Sequence, residues 1–139
     1  MRYAIITNPV SGNLSVPKRL ELLAHAARTL QAEVHGLDTI SKEEFLACAR
    51  DLAGNCDVLV VAGGDGSLSD VINAIDTQET PIAYIPLGSG NAMSHALHLR
   101  GSIAEVATRI KEGRIRDFDL ILCDERRLAY MVSIGLESA

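Results

Sequence analysis

The feature that most constrains the fold of this chain is a regular alternation of short strand-like runs with amphipathic helical patterns, from residue 3 to about residue 111. The runs Tyr3–Thr7, Asp57–Ala62 and Pro81–Pro86 have the length and the aliphatic character of buried strands, and residues 32–37 form a weaker candidate. Strands that alternate with helices build a parallel sheet covered by helices on both faces. The sequence therefore predicts an α/β fold with three layers over residues 1–113.

Apolar spacing predicts the helices between these strands. They are expected at about residues 17–31, 42–53, 67–75, 92–99 and 102–112. Ser15, Ser41 and Ser102 stand at N-cap positions, and the latter two open capping boxes with a glutamate three residues later. In the first helix, one predicted core face is formed by Leu20, Leu23, Ala24, Ala27 and Leu30.

The pattern changes near residue 114. Two strand-like stretches, residues 116–123 and 127–134, flank the turn at Asp124 and Glu125 and predict a hairpin. We therefore expect two units, an α/β domain of residues 1–113 and a β-rich segment of residues 114–139.

Charge and composition exclude several functional classes. The net charge is −5 with no Lys/Arg cluster, which argues against nucleic acid as a partner. Cys48, Cys56 and Cys123 are odd in number and lack metal-ligand spacing, as expected of free thiols in a reducing cytoplasm. The sequence begins without a signal-like segment, and its apolar stretches are shorter than the roughly 20 residues of a spanning helix. Any membrane contact is therefore expected to be peripheral.

Three turn-rich segments follow three of the predicted strands. They are residues 8–13, 63–67 and 87–91. Because the carboxyl ends of parallel strands lie at one edge of a sheet, and ligands bind in the crevice there, these segments are expected to form one site.

The second segment has the composition of a phosphate-binding turn. Gly63, Gly64 and Gly66 permit close backbone approach and positive φ, and a helix predicted to start near Ser67 presents N–H groups with a partial positive charge. The Ser67 hydroxyl adds a donor. The turn is not of the Walker type, since no Gly-Lys-Ser/Thr follows it.

Asp65 is the one carboxylate within this glycine turn, and its role is open at this stage. It can hold Mg²⁺, accept a proton from an attacking hydroxyl, or only brace the turn by accepting N–H bonds. In the third segment, Ser89 and Asn91 are candidates for nucleotide contacts or for an ordinary helix cap.

Together these segments resemble a known family. Asn8-Pro9-x-Ser11-Gly12, the glycine turn of residues 63–67, and Pro86-Leu87-Gly88-Ser89-Gly90-Asn91 occur in the order found in the diacylglycerol kinase catalytic domain and bacterial lipid kinase family, which includes sphingosine kinases. The resemblance covers essentially the whole chain. It implies a Rossmann-like nucleotide-binding domain related to NAD kinases and phosphofructokinases.

The resemblance also implies the cofactors ATP and Mg²⁺ and a set of site residues. Asp65 is the expected catalytic residue, and no metal ligands are assigned. Ser67 and Ser89 stand where the family usually has Thr and keep the hydroxyl. The expected nucleotide-binding residues are Asn8, Ser11, Gly12, Thr39, Gly63, Gly64, Asp65, Gly66, Ser67, Leu68, Ser69, Gly88, Ser89 and Asn91.

The function that the resemblance implies is transfer of the ATP γ-phosphate to a lipid hydroxyl by a cytoplasmic enzyme. Family members continue into a β-rich domain that shapes the lipid site, and residues 133–139 resemble its beginning. Two alternatives stay open: an NAD or sugar kinase of the same superfamily, and a nucleotide-binding module without turnover. Peripheral contact with a membrane and a homo-oligomer are also compatible with the sequence.

Overall fold

The computed structural model describes residues 1–87, 101–113 and 115, and the backbone of residues 121–123 and 127–129. The predicted loop of residues 88–91 and the predicted helix at residues 92–99 lie outside the described residues. The elements in chain order are β1 Tyr3–Thr7, α1 Val16–Leu30, β2 Val34–His35, α2 Lys42–Ala53, β3 Val58–Gly63, α3 Asp65–Ala74, β4 Ile82–Pro86, α4 Ile103–Glu112, β5 Ile121–Cys123 and β6 Arg127–Ala129.

Strands β1 to β4 form one parallel sheet in the order β2-β1-β3-β4. The predicted α/β fold is therefore confirmed. From β1 the chain crosses to β2 on one side and then returns to β3 on the other side, so the strand order reverses between β1 and β3. Such a reversal leaves a crevice outside the carboxyl ends of the two strands, which is where open α/β sheets bind ligands.

Helices cover both faces of the sheet, as the alternation predicts. On one face, Ile6, Val61 and Tyr84 point toward α2 and α3 and pack with Phe45. The neighbouring strand positions point to the opposite face and pack against α1 and α4. Because successive strand residues alternate sides, continuous apolar runs such as Val58–Gly63 supply both cores at once.

The buried face of α1 differs from the prediction. Leu23 is fully buried, but Leu20 is 46% exposed. The buried stripe consists of Arg19, Leu23, Ala26 and Leu30. The prediction was wrong at this point because it chose the apolar Leu20 over the charged Arg19, whose guanidinium is buried through hydrogen bonds to the loop after β1.

Among the helices that the structure describes, three of four start at the predicted caps. Ser15, Ser41 and Ser102 each accept a hydrogen bond, at 3.1–3.3 Å, from the backbone N–H three residues later. Helix α3 is the exception, because it begins at Asp65, two residues before the predicted start. In the described part of the chain, no helix is both long and apolar enough to cross a bilayer.

The backbone of β5 and β6 pairs antiparallel, with Leu122 opposite Leu128. This confirms antiparallel pairing within the predicted hairpin, for the residues that the structure describes there. Cys48 and Cys56 are free thiols, also as predicted. Burial raises the pKa of both thiols, and nearby aspartates add to the rise. Both side chains are therefore expected to be mostly protonated at neutral pH.

Gly36, directly after β2, is required by the backbone. Its φ is +90°, and an added Cβ would lie 2.6 Å from the carbonyl oxygen of Thr7. We expect Gly36→Ala to lower the free energy of unfolding by about 1–3 kcal/mol, measured by urea denaturation. Gly54→Ala is the matched control, since its Cβ would meet only the Asp51 carbonyl at 3.6 Å. Equal unfolding midpoints for the two variants would contradict the structure here.

Candidate functional site

A cavity of about 190 Å³ opens at the carboxyl ends of β1 and β3, where the strand order reverses. Elements far apart in sequence form its walls. It is lined by residues 11–14 of the loop after β1, by Arg19 of α1, by Gly63, Gly64, Gly66 and Ser67, and by Leu87 after β4. The first two predicted segments therefore meet at one site, as does the described start of the third.

The N-terminus of α3 forms one wall of this cavity. Strand β3 ends at Gly63 and the helix begins at Asp65, so a single residue joins them. That residue, Gly64, is the N-cap and has no side chain to bond the N–H groups of the first turn. The Leu68 N–H donates to the Gly64 carbonyl at 3.2 Å and is thus the first intrahelical bond. The positive end of the helix dipole therefore meets the cavity without a side-chain cap.

The glycines at this helix start leave the backbone open to a ligand, and they do not adopt unusual backbone angles. Gly64 has φ −94° and ψ 178°, and none of Gly63, Gly64 and Gly66 has positive φ. The positive φ that glycine permits is not used here, because the chain passes from an extended strand directly into a helix. A Cβ added at Gly64 or Gly66 would meet nothing within 4 Å. Packing of the described residues does not require glycine there, and its effect is to keep the backbone accessible from the cavity.

Hydrogen bonds organise the loop after β1 and bring it to α3. The buried Asn8 accepts from the Val10 N–H at 3.1 Å through its side chain, and its carbonyl accepts from the Ser11 hydroxyl at 3.0 Å. The Ser11 and Ser67 hydroxyl oxygens lie 3.4 Å apart. Since Ser11 gives its only proton to Asn8, Ser67 is the donor of this weak contact. Asn8 thus shapes the turn, while Ser11 and Ser67 line the cavity.

Arg19 is a residue of the site that the sequence analysis missed. Its side chain is only 2% exposed. The guanidinium donates to the Thr7 hydroxyl at 2.9 Å, to the Leu14 carbonyl at 3.3 Å and to the Ser11 carbonyl. Burial lowers the pKa of Arg19 from its ordinary value. The sequence contains one indication of this role. Arg19 lies four residues before Leu23, so it falls on the same buried face of α1, at the end of the helix next to the turn.

Asp65 is the first residue of α3, and Tyr84 holds its carboxylate. The Tyr84 hydroxyl lies 3.3 Å from Oδ1 of Asp65 and 3.0 Å from the Gly63 carbonyl oxygen, so one phenol proton is shared between two acceptors. Tyr84 is 1% exposed on β4, and the sequence analysis assigned it only to a strand. Asp65 is half-buried and is not among the residues that line the cavity. A contact that braces the turn therefore exists, made by the Tyr84 side chain.

Three other predicted nucleotide contacts lie away from the cavity. The buried Thr39 donates its hydroxyl to the Gly36 carbonyl at 2.6 Å in the loop after β2. The Leu68 side chain is in the core, and the Ser69 carbonyl accepts from Asn73 within α3. These assignments stay predictions. Those for Gly88, Ser89 and Asn91 concern residues outside the described part of the chain.

Comparison with known proteins places the chain in a family. Residues 2–123 match the family model for the diacylglycerol kinase catalytic domain. A diacylglycerol kinase of Staphylococcus saprophyticus is 32% identical over an alignment of 123 residues, and the match covers 86% of this chain and 40% of that protein. One from Staphylococcus aureus is 30% identical, with 86% and 39% covered.

A solved structure shows the same fold. The crystal structure of a diacylglycerol kinase from Bacillus anthracis superimposes with a TM-score of 0.70 at 23% identity, covering 86% of this chain and 42% of that one. The chain spans about 40% of the length of the Staphylococcus relatives it matches. The motifs, the fold and the family match agree, and this chain belongs to the diacylglycerol kinase catalytic domain family.

Proposed function

We propose that this chain binds ATP as part of a lipid kinase that transfers the γ-phosphate to a lipid hydroxyl. One observation carries the proposal: the N-terminus of α3 meets the cavity without a side-chain cap, beside two glycines with open space above them. Backbone donors and a helix dipole that converge on a cavity make an anion site. Membership in the diacylglycerol kinase catalytic domain family supports phosphate as the anion and a lipid as the acceptor.

The cavity size suits the phosphates rather than a whole nucleotide. Small-molecule sites usually enclose about 300–1,000 Å³, and the described residues enclose about 190 Å³. We place the ATP phosphates against Gly64, Gly66 and Ser67. The predicted contacts of Ser89 and Asn91 with the nucleotide remain part of the proposal.

Magnesium fits this arrangement if the phosphates supply most of its ligands. The described residues contain no group of three or more His, Cys, Asp or Glu able to hold a metal. Mg²⁺ commonly uses one or two carboxylates together with substrate phosphates and water, and Asp65 is the carboxylate at this helix start. The ion, when bound, neutralises phosphate charge. The role of Asp65 would then be to orient the metal or the attacking hydroxyl.

The lipid acceptor is proposed from the family alone. We propose that the hairpin of β5 and β6 belongs to a β-rich domain distinct from residues 1–113, and that this domain shapes the lipid site. A cytoplasmic enzyme with peripheral membrane contact is the corresponding location. The acceptor class can be identified with radiolabelled ATP. Labelled phosphate in a product that is soluble in organic solvent would indicate a lipid acceptor, and label in NAD or in a sugar would indicate one of the alternatives.

ATP binding tests the proposal through Gly66. We expect calorimetry with ATP and magnesium to show saturable binding by the wild type. Gly66→Ala should retain the fold, since alanine is favoured over glycine in helices by up to about 1 kcal/mol. The variant should nevertheless bind ATP about tenfold or more weakly, because the added methyl group occupies the space through which the phosphates reach the backbone. Gly54→Ala, which adds the same methyl at the end of α2, should bind as the wild type does. Wild-type affinity in Gly66→Ala, or no saturable binding by folded wild type, would overturn the proposal.

A further inference from the structure

Arg19 brings a buried positive charge to the cavity. All three of its hydrogen bonds go to uncharged acceptors, namely the Thr7 hydroxyl and the carbonyls of Leu14 and Ser11. None of the ion pairs among the described residues includes Arg19. The three bonds use three of the roughly five N–H donors of a guanidinium.

A buried charge without a counter-charge is costly. The effective penalty for removing one ion from water is several kcal/mol, and proteins normally offset it with a partner of opposite sign. Arginine does not avoid this cost by losing its proton, because it stays charged at any pH at which proteins function. The charge of Arg19 therefore persists beside the cavity, where an anionic ligand would compensate it.

Arg19 and the start of α3 line the same cavity, and both favour a negatively charged ligand. The guanidinium lines the same cavity as Gly64, Gly66 and Ser67. An added Cβ at Gly12, also in the lining, would be 3.8 Å from its terminal nitrogen. The lining thus contains both the N–H donors of the helix start and a fixed cation. The glycine turn itself carries no lysine of the Walker type.

We propose that Arg19 is the phosphate-binding cation of this site and selects ligands that carry a polyphosphate. The inference rests on the proposed function. It identifies Arg19 as the source of the positive charge that the glycine turn lacks. Arginine suits this role because its planar fork can donate to phosphate oxygens while its other N–H groups hold the loop of residues 11–14. The loop bonds position the cation before the ligand arrives, which reduces the ordering cost of binding.

Inorganic tripolyphosphate, ATP and adenosine are the probes that isolate this charge. We expect Arg19→Gln to weaken ATP and tripolyphosphate binding by about tenfold or more, and adenosine binding by less than about twofold. The salt dependence of ATP binding should also decrease, since one cation is lost. Arg19→Lys keeps the charge without the fork and should fall between Gln and the wild type. Equal losses for ATP and adenosine would show a merely structural role and overturn the inference.

Arg28→Gln is the matched control. Arg28 lies in the last turn of the same helix and is exposed, so this variant removes an equal charge away from the cavity. We expect its affinity for tripolyphosphate to stay within about twofold of the wild type, because a solvated charge at that distance is screened.

If the Arg19 variants do not fold, a measurement on the wild type still tests the inference. Tripolyphosphate should shift the Arg19 Nε–H NMR signal saturably, with the dissociation constant found by calorimetry. A signal that does not move while the ligand binds would overturn the inference and leave the proposed ATP site intact. Conversely, binding of tripolyphosphate without binding of ATP would retain Arg19 as an anion site and reject the proposed function.

Discussion

Asp65→Asn is expected to lower the rate of phosphoryl transfer from ATP by about 100-fold or more, while the protein remains folded. Asparagine has nearly the same shape as aspartate and can still accept the Tyr84 hydroxyl through its side-chain oxygen. The contact that braces the helix start would therefore survive. The substitution removes the negative charge, which would orient Mg²⁺ or accept the proton of the lipid hydroxyl, and it replaces one acceptor oxygen by an NH2 group. The rate is to be measured with radiolabelled ATP and lipid vesicles on the protein at its full natural length.

Magnesium dependence separates the roles of Asp65. Without magnesium, Asp65→Asn should bind ATP at least as tightly as the wild type, because a carboxylate that repels phosphate is absent. Magnesium should then strengthen ATP binding by the wild type more than by the variant. If Asp65 only braces the turn, magnesium will affect both proteins equally and transfer will continue at the wild-type rate.

Asp70→Asn is the control for this experiment. Asp70 lies in the next turn of α3, its side chain is 19% exposed, and it is 3.3 Å from the Lys42 ammonium. The variant removes an equal charge from the same helix, more than one turn away from the helix start that Asp65 occupies. We expect it to change the transfer rate by no more than about threefold, corresponding to roughly 0.7 kcal/mol.

Leu23→Ala is expected to lower the free energy of unfolding by about 2–5 kcal/mol. Leu23 is fully buried between α1 and the sheet, in the core that also contains Ile5, Val60 and Ile85. Truncation would lose the transfer free energy of the removed methyl groups and leave a cavity, because close-packed neighbours relax only in part. Since small domains have total stabilities of roughly 5–15 kcal/mol, this loss would be a large fraction of the whole.

Leu20→Ala is the matched control, because it is the same substitution three residues earlier on the same helix. With 46% of Leu20 exposed, we expect a change within about 0.5 kcal/mol. Urea denaturation of the two variants measures the difference directly through their midpoints and slopes. Equal destabilisation would mean that α1 buries the face predicted from its leucines rather than the face that includes Arg19.

Much of the fold is predictable because it depends on local pattern. The run Val58–Gly63 is buried at every position, and only a strand with cores on both sides accommodates such a run. Ser15, Ser41 and Ser102 start helices because each side chain satisfies a backbone donor a few residues away. The order of the elements then implies a parallel sheet, whose carboxyl edge brings together turns more than fifty residues apart.

Details of the site depended on contacts that no local pattern reports. The start of α3 at Asp65 rather than near Ser67 reflects how abruptly β3 passes into the helix. The shared phenol proton of Tyr84 joins β4 to α3, and it requires two strands in register before it can form. The sequence pattern placed Tyr84 only in a strand, since nothing near it in sequence indicates a carboxylate partner.

The sequence by itself determined the class of fold and the edge of the sheet at which the turn-rich segments meet, and it predicts phosphate binding by the glycine turn. These follow from short-range periodicity, from capping and from the direction of parallel strands. Only the tertiary structure decided that Arg19 replaces Leu20 on the buried face of α1 and that its charge lines the cavity. The reason is physical: burial of a guanidinium is favourable only where distant acceptors surround it, and those acceptors come together when the chain folds.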